Sequence, residues 1–137
     1  MTEKEKGILN YILENCIFAY DELYKVNNEL IEGMKPDSGA NVNHLGALNR
    51  MIQDYLIVRV AGLFDKTRGV ISFEKLILNN DDFDNIKEQE ITKYIIEKRN
   101  NFVAHVNKND FVFPITDKIC SSNLKELLKN LQELLKD

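Results

Sequence analysis

The sequence predicts an all-α fold, an up-and-down bundle of four to five helices, and three observations carry that prediction. Apolar residues recur at three- and four-residue intervals through four long stretches. Helix breakers are scarce, with two prolines and six glycines in 137 residues. The segments between the stretches are short and polar and carry residues suited to helix caps, which is the pattern of a bundle.

The first helix is expected from about Thr2 to Gly33. Ile8, Tyr11, Ile12, Cys16, Phe18, Ala19, Leu23, Val26, Leu30 and Ile31 form its apolar set. Gly33 suits a helix end, and Lys35-Pro36-Asp37-Ser38-Gly39 is punctuation. Asn41 or Asn43 then caps a second helix reaching Phe64, with Leu45, Leu48, Met51, Ile52, Tyr55, Leu56, Val58 or Arg59, and Leu63 as its inward stripe. Asp65 to Gly69 breaks it. Ser72 caps a short helix from Phe73 to Leu78, and Asp81, Asp82 and Asp84 precede a third long helix near its positive dipole end. Lys108-Asn109-Asp110 reads as a turn, and Pro114 biases Phe111 to Phe113 toward extended backbone. Asn123 with Glu126 three residues on resembles a capping box. It opens a last helix walled by Leu124, Leu127, Leu128, Leu131, Leu134 and Leu135.

The chain, residues 1–137, is expected to form one domain around a single core. A net charge of −4 and a sequence pI near 5.3 argue against a broad, sequence-independent grip on nucleic acid, which needs clustered positive charge. A small basic site remains compatible with that balance. No apolar run approaches the ~20 residues of a membrane span, and the start lacks the apolar region of a signal peptide. Cys16 and Cys120 lack metal-ligand spacing and fall within apolar helical patterns, which reads as reduced thiols in a cytoplasmic protein. No metal or other cofactor is expected.

The most informative stretch is Glu97-Lys98-Arg99-Asn100-Asn101-Phe102-Val103-Ala104-His105. It holds one of only two histidines, six residues after an arginine. Arginine presents a permanent cation with a planar fork of donors, and histidine exchanges protons near neutrality. Together they can stabilise charge on a phosphodiester and move its protons without a metal. On a straight helix Arg99 and His105 lie about 120° apart and ~9 Å apart along the axis, so they converge only if the helix ends or a second copy joins in. Ile91, Tyr94, Ile95, Lys98 (through its stem), Phe102 and Val106 are its inward stripe, leaving Ile96 and Val103 in need of cover. The plainer alternative is a helix-end histidine beside a surface arginine.

The string Arg-Asn-Asn-Phe-Val-Ala-His resembles the R-x(4–6)-H signature of the HEPN superfamily, the higher eukaryotes and prokaryotes nucleotide-binding domains. Asn100 fits the polar position after the arginine. A second stretch, from Val60 to Ile77, with Leu63-Phe64-Asp65 and Ser72 to Ile77, is similar to HEPN domains related to abortive-infection proteins of the U type. The two stretches cover about a fifth of the chain. The resemblance implies a HEPN-type bundle acting as a homodimeric, metal-independent endoribonuclease of toxin or phage-defence type, whose protomers pool Arg and His in one cleft. It assigns Arg99, His105 and Asn100 to catalysis, with an antitoxin protein as a further partner; beside them Lys98, Asn101 and Arg59 are candidate RNA contacts, Asn101 being able instead to orient His105 or to be simply solvated. For Arg59 and Asp65 the plainer alternative is a salt bridge or cap. A non-catalytic HEPN-like module that binds nucleotide or a protein partner is the other reading, favoured by the acidic pI. His44 reads as a solvated or capping residue at the start of the second helix.

Overall fold

The computed structural model describes residues 1–103 and 116–136. Helix α1 runs Glu3–Gly33, α2 Val42–Gly62, α3 Phe73–Leu76, α4 Asp81–Glu88 and α5 Glu90–Lys98. A π-helical turn, Arg99–Val103, continues α5, and α6, Thr116–Ile119, and α7, Ser122–Leu134, complete the described chain. No strand occurs among the described residues, so the fold is all-α. No described helix is long and apolar enough to cross a membrane.

The start of α1 is fixed by a reciprocal pair. The Thr2 hydroxyl accepts from the Glu5 N–H at 3.1 Å, while the Glu5 carboxylate accepts from the Thr2 N–H at 2.9 Å. At the other end Gly33 is needed for close approach, since a Cβ there would meet the Ala40 Cβ at 3.0 Å. The chain then reverses into α2, whose N-cap is Asn41, accepting from the His44 N–H at 3.0 Å. The two helices run antiparallel: Asn49 donates to Asn27 near one end, and Arg59 lies beside Tyr11 at the other. Helix α7 packs against α1, α4 and α5. The core joins Leu9, Leu13, Cys16 and Leu23 of α1 to Leu56, Ile57 and Val60 of α2, and to the leucines of α7.

Several expectations need correction. The third long helix is two helices. Gln89 takes an extended ψ of 143°, and at this break the Ile86 carbonyl accepts from the Gln89 N–H at 3.2 Å and from the buried Thr92 hydroxyl at 2.7 Å. Asp81, Asp82 and Asp84 do not precede the helix but form the first turn of α4, capped by Asn80. Helix α3 ends at Leu76, two residues early, and α7 has Ser121 rather than Asn123 at its N-cap.

The largest correction concerns α2. Its buried residues are Asn49, Gln53, Leu56, Ile57, Val60 and Ala61, while Met51, Tyr55 and Val58 of the expected inward stripe are exposed. Ile96, expected to lack cover, is half-buried against the core. The turn expected at Lys108 to Asp110 and the extended piece at Phe111 to Phe113 lie outside the described residues.

Candidate functional site around Arg99 and Asp65

The loop after α2 is held by its apolar side chains. Phe64 and Phe73 both stack on Phe83 of α4, with ring centroids 5.7 and 6.1 Å apart. The Phe73 N–H returns to the Leu63 carbonyl at 2.8 Å, and the Ser72 hydroxyl donates to the Asp65 carbonyl at 2.6 Å. Ser72 also caps α3 as expected, accepting from the Lys75 N–H. The loop therefore closes on itself, and Asp65 projects from a fixed backbone. One carboxylate oxygen accepts from the Thr67 N–H at 2.8 Å, the local turn that Asp side chains favour.

The other oxygen, Oδ2, faces Arg99 Nη1 at 3.4 Å. Arg99 is the first residue of the π turn, where the i→i+5 pattern widens the helix; such turns recur at functional sites. Its Nε–H also donates to Asn100 Oδ1 at 3.2 Å. The arginine side chain stays 29% exposed and that of Asp65 20% exposed, so the guanidinium is anchored yet reachable from solvent. The Asp65 carboxyl lies below its ordinary range, through its hydrogen bonds with Thr67 first and the Arg99 cation after. The two stretches that carry the family resemblance thus meet side chain to side chain, across 34 positions of sequence. Of the plain alternatives for Asp65, the salt bridge is realised, with Arg99; its contact with Thr67 is a loop turn and not a helix cap.

No protein-family model, curated protein or solved structure matches this chain. The residues alone therefore define what the site can do.

The remaining expected site residues fall in different places. Lys98 is buried, with its Nζ 5.5 Å from the Tyr94 ring centroid, and so is packed rather than open to a substrate. Asn101 is half-buried on the π turn. Arg59 is exposed on α2, its guanidinium 5.8 Å from the Tyr55 ring centroid, and no described contact joins it to Arg99. His105 lies outside the described residues. His44 is exposed in the first turn of α2. Among the described residues no cluster of three His, Cys, Asp or Glu side chains could hold a metal. The short chain Asn27–Asn49–Gln53 was missed at the sequence level. Its signal was available only as two polar residues four apart, Asn49 and Gln53, among several polar residues of the same helix.

Proposed function

We propose that this chain is a metal-independent endoribonuclease of the HEPN kind, acting as a homodimer in phage defence or as the toxin of a toxin–antitoxin pair. The observation that carries the reading is the anchored, solvent-reachable guanidinium of Arg99, held by Asp65 and Asn100 at the head of the π turn. Two of its five donors are engaged there, which leaves part of the fork for phosphate oxygens.

In this reaction the RNA 2′-hydroxyl attacks the adjacent phosphorus. The P–O5′ bond breaks, giving a 2′,3′-cyclic phosphate and a 5′-hydroxyl. His105 removes the hydroxyl proton or delivers one to the leaving oxygen, a role worth ~10²–10⁴-fold. Arg99 binds the non-bridging oxygens as charge builds on them, worth ~10²–10³-fold. Asn100 keeps the guanidinium in plane with the phosphate, and Asn101 on the same turn lies within reach of the flanking backbone.

Cleavage of RNA should persist in excess EDTA and fail on a substrate with 2′-deoxyribose at the cut. Arg99→Ala and His105→Ala should each lower the rate at least ~10²-fold with helicity retained. Arg99→Lys should rescue poorly, because an ammonium lacks the bidentate fork. Activity lost to EDTA and restored by magnesium would reject the mechanism.

The engagement of Arg99 by a carboxylate favours one second reading, a non-catalytic module that binds nucleotide or a protein partner. Asp65 then screens the cation until a phosphate displaces it. Purified protein that cleaves no RNA but binds a nucleotide, with affinity reduced by Arg99→Ala, would establish that reading instead.

A further inference from the structure

The loop that presents Asp65 carries two further cations, Lys66 and Arg68, both exposed. Neither forms an ion pair among the described residues. From Lys66 to Phe73 the chain has no carboxylate, and Glu74, the next one, is taken by Lys87 at 3.3 Å. Asp65 itself is occupied by Thr67 and Arg99. The chain as a whole is acidic, with a net charge of −4, so uncompensated cations gathered beside Arg99 set where a polyanion is drawn.

The backbone beneath these cations is fixed. The Val70 N–H returns to the Thr67 carbonyl at 3.3 Å, closing a tight turn with Arg68 and Gly69 at its corners. Gly69 has a φ of +85°, a left-handed value that suits glycine at the third position of such a turn. Arg68, the other corner residue, is thereby held at the loop tip. The aromatic residues that bound the loop, Phe64 and Phe73, are buried against Phe83, so neither ring is left for a base to stack on. The loop offers charge to a phosphate backbone and no platform to the bases, and such contacts position a strand without reading it. From Asp65 to Arg68 is at most ~11 Å at full extension. That width matches roughly three phosphates of one strand, at ~3.4 Å each. Double-stranded RNA is bound over ~16 base pairs and two grooves, far more than this patch can reach.

We infer that Lys66 and Arg68 form a phosphate grip for single-stranded RNA, holding the strand beside Arg99. This rests on the ribonuclease reading for its ligand, and adds the residues and the strand state which that reading leaves open. The two side chains lie on the flank of the Arg99–Asp65 pair and touch no reacting atom. They bind ground state and transition state alike, so they act on affinity and not on the chemical step.

Binding of a labelled RNA of ~12 nucleotides, 2′-O-methylated throughout so that it holds no nucleophile, tests this on the full chain. At 0.1 M salt Lys66→Ala and Arg68→Ala should each weaken binding ~5-fold and the double variant ~25-fold. Each should also flatten the slope of log affinity against log salt by ~0.7. Both positions are exposed in a loop, so helicity should not change. Lys35→Ala, at the other end of α2 and ~30 Å away, should alter neither quantity, since that is three Debye lengths. The same strand annealed to its complement should bind at least ~10-fold more weakly. With cleavable RNA the double variant should lose kcat/KM by about the factor seen in binding and keep kcat within about two-fold. Wild type that does not bind the strand, slopes unchanged in both variants, or an equal loss from Lys35→Ala overturns the inference; cleavage that persists beside any of these leaves the ribonuclease reading intact. A duplex bound as tightly as the single strand overturns the strand assignment. Slope losses in a protein that cleaves no RNA would sink the ribonuclease reading and leave the grip standing.

Discussion

Helices α7 and α2 obey different rules, although both read as amphipathic. In α7 the leucine stripe and the buried face coincide: Leu124, Leu127, Leu128 and Leu131 are all fully buried. In α2 they separate. Asn49 and Gln53 are buried, while Met51 and Tyr55, each two residues from Gln53 and so on roughly the opposite side, face outward. Helix α7 contributes one wall to the core and needs one apolar face. Helix α2 lies between α1 on one side and α5 with the π turn on another, and it carries apolar residues around most of its circumference. Periodicity identifies a face only when a single face is apolar.

The largest test of this contrast lies in α7. Leu127→Ala should cost ~2–5 kcal/mol, the range for a buried leucine that leaves a cavity, read as a shift in urea midpoint at unchanged slope. A cost below ~1 kcal/mol would mean that α7 does not close the core.

Next comes the pair of faces on α2, measured at concentrations where the chain is monomeric. Gln53→Ala removes the donor that serves the Asn49 carbonyl oxygen inside the fold, and should cost ~1–3 kcal/mol. Met51→Ala removes a larger apolar side chain, yet from the outer face, and should change stability by no more than ~0.5 kcal/mol. The reverse order, with Met51 costly and Gln53 neutral, would restore the face that periodicity alone suggests.

The smallest effect is expected just beyond the end of α2, at Asp65. Its carboxyl is held below the ordinary 3.8 in the folded chain, so its contribution is present above that value and is lost as pH falls through the lower folded one. Asp65→Asn should lower the melting temperature slightly at pH 7, and the difference should close as the medium is made more acid than the ordinary carboxylate range. A difference that grows on acidification would contradict the assignment.

Much of this molecule was legible as sequence because it rests on local chemistry. Thr2 and Gly33 bound α1, Asn41 caps α2, Ser72 caps α3, and the α7 leucines name their own face. What escaped depends on contacts between elements. Gln89 carries no breaker signal, and the junction between α4 and α5 is tied by the buried Thr92 hydroxyl on the Ile86 carbonyl. Asn49 is buried with a partner on another helix, Asn27, and Gln53 is buried with Asn49 as its partner. At the candidate site Arg99 and Asp65 were each singled out from the sequence. Their pairing required the stack of Phe64 and Phe73 on Phe83, which no spacing rule contains. Lys98 was assigned to RNA contact although its stem already belonged to the inward stripe, and the stripe prevailed.

Cys16 has a use of another kind. It is fully buried in α1, and burial pushes its thiol up to about 12, whereas Cys120 is half-buried, and neither forms a disulfide. Alkylating reagents react with thiolate, which Cys16 scarcely forms in the native core. Its modification therefore waits for α1 to leave the bundle, at a rate set by how often that opening occurs. Cys120 serves as the reference within the same molecule. The native chain thus contains its own clock for core opening, readable by mass spectrometry without introducing a single substitution.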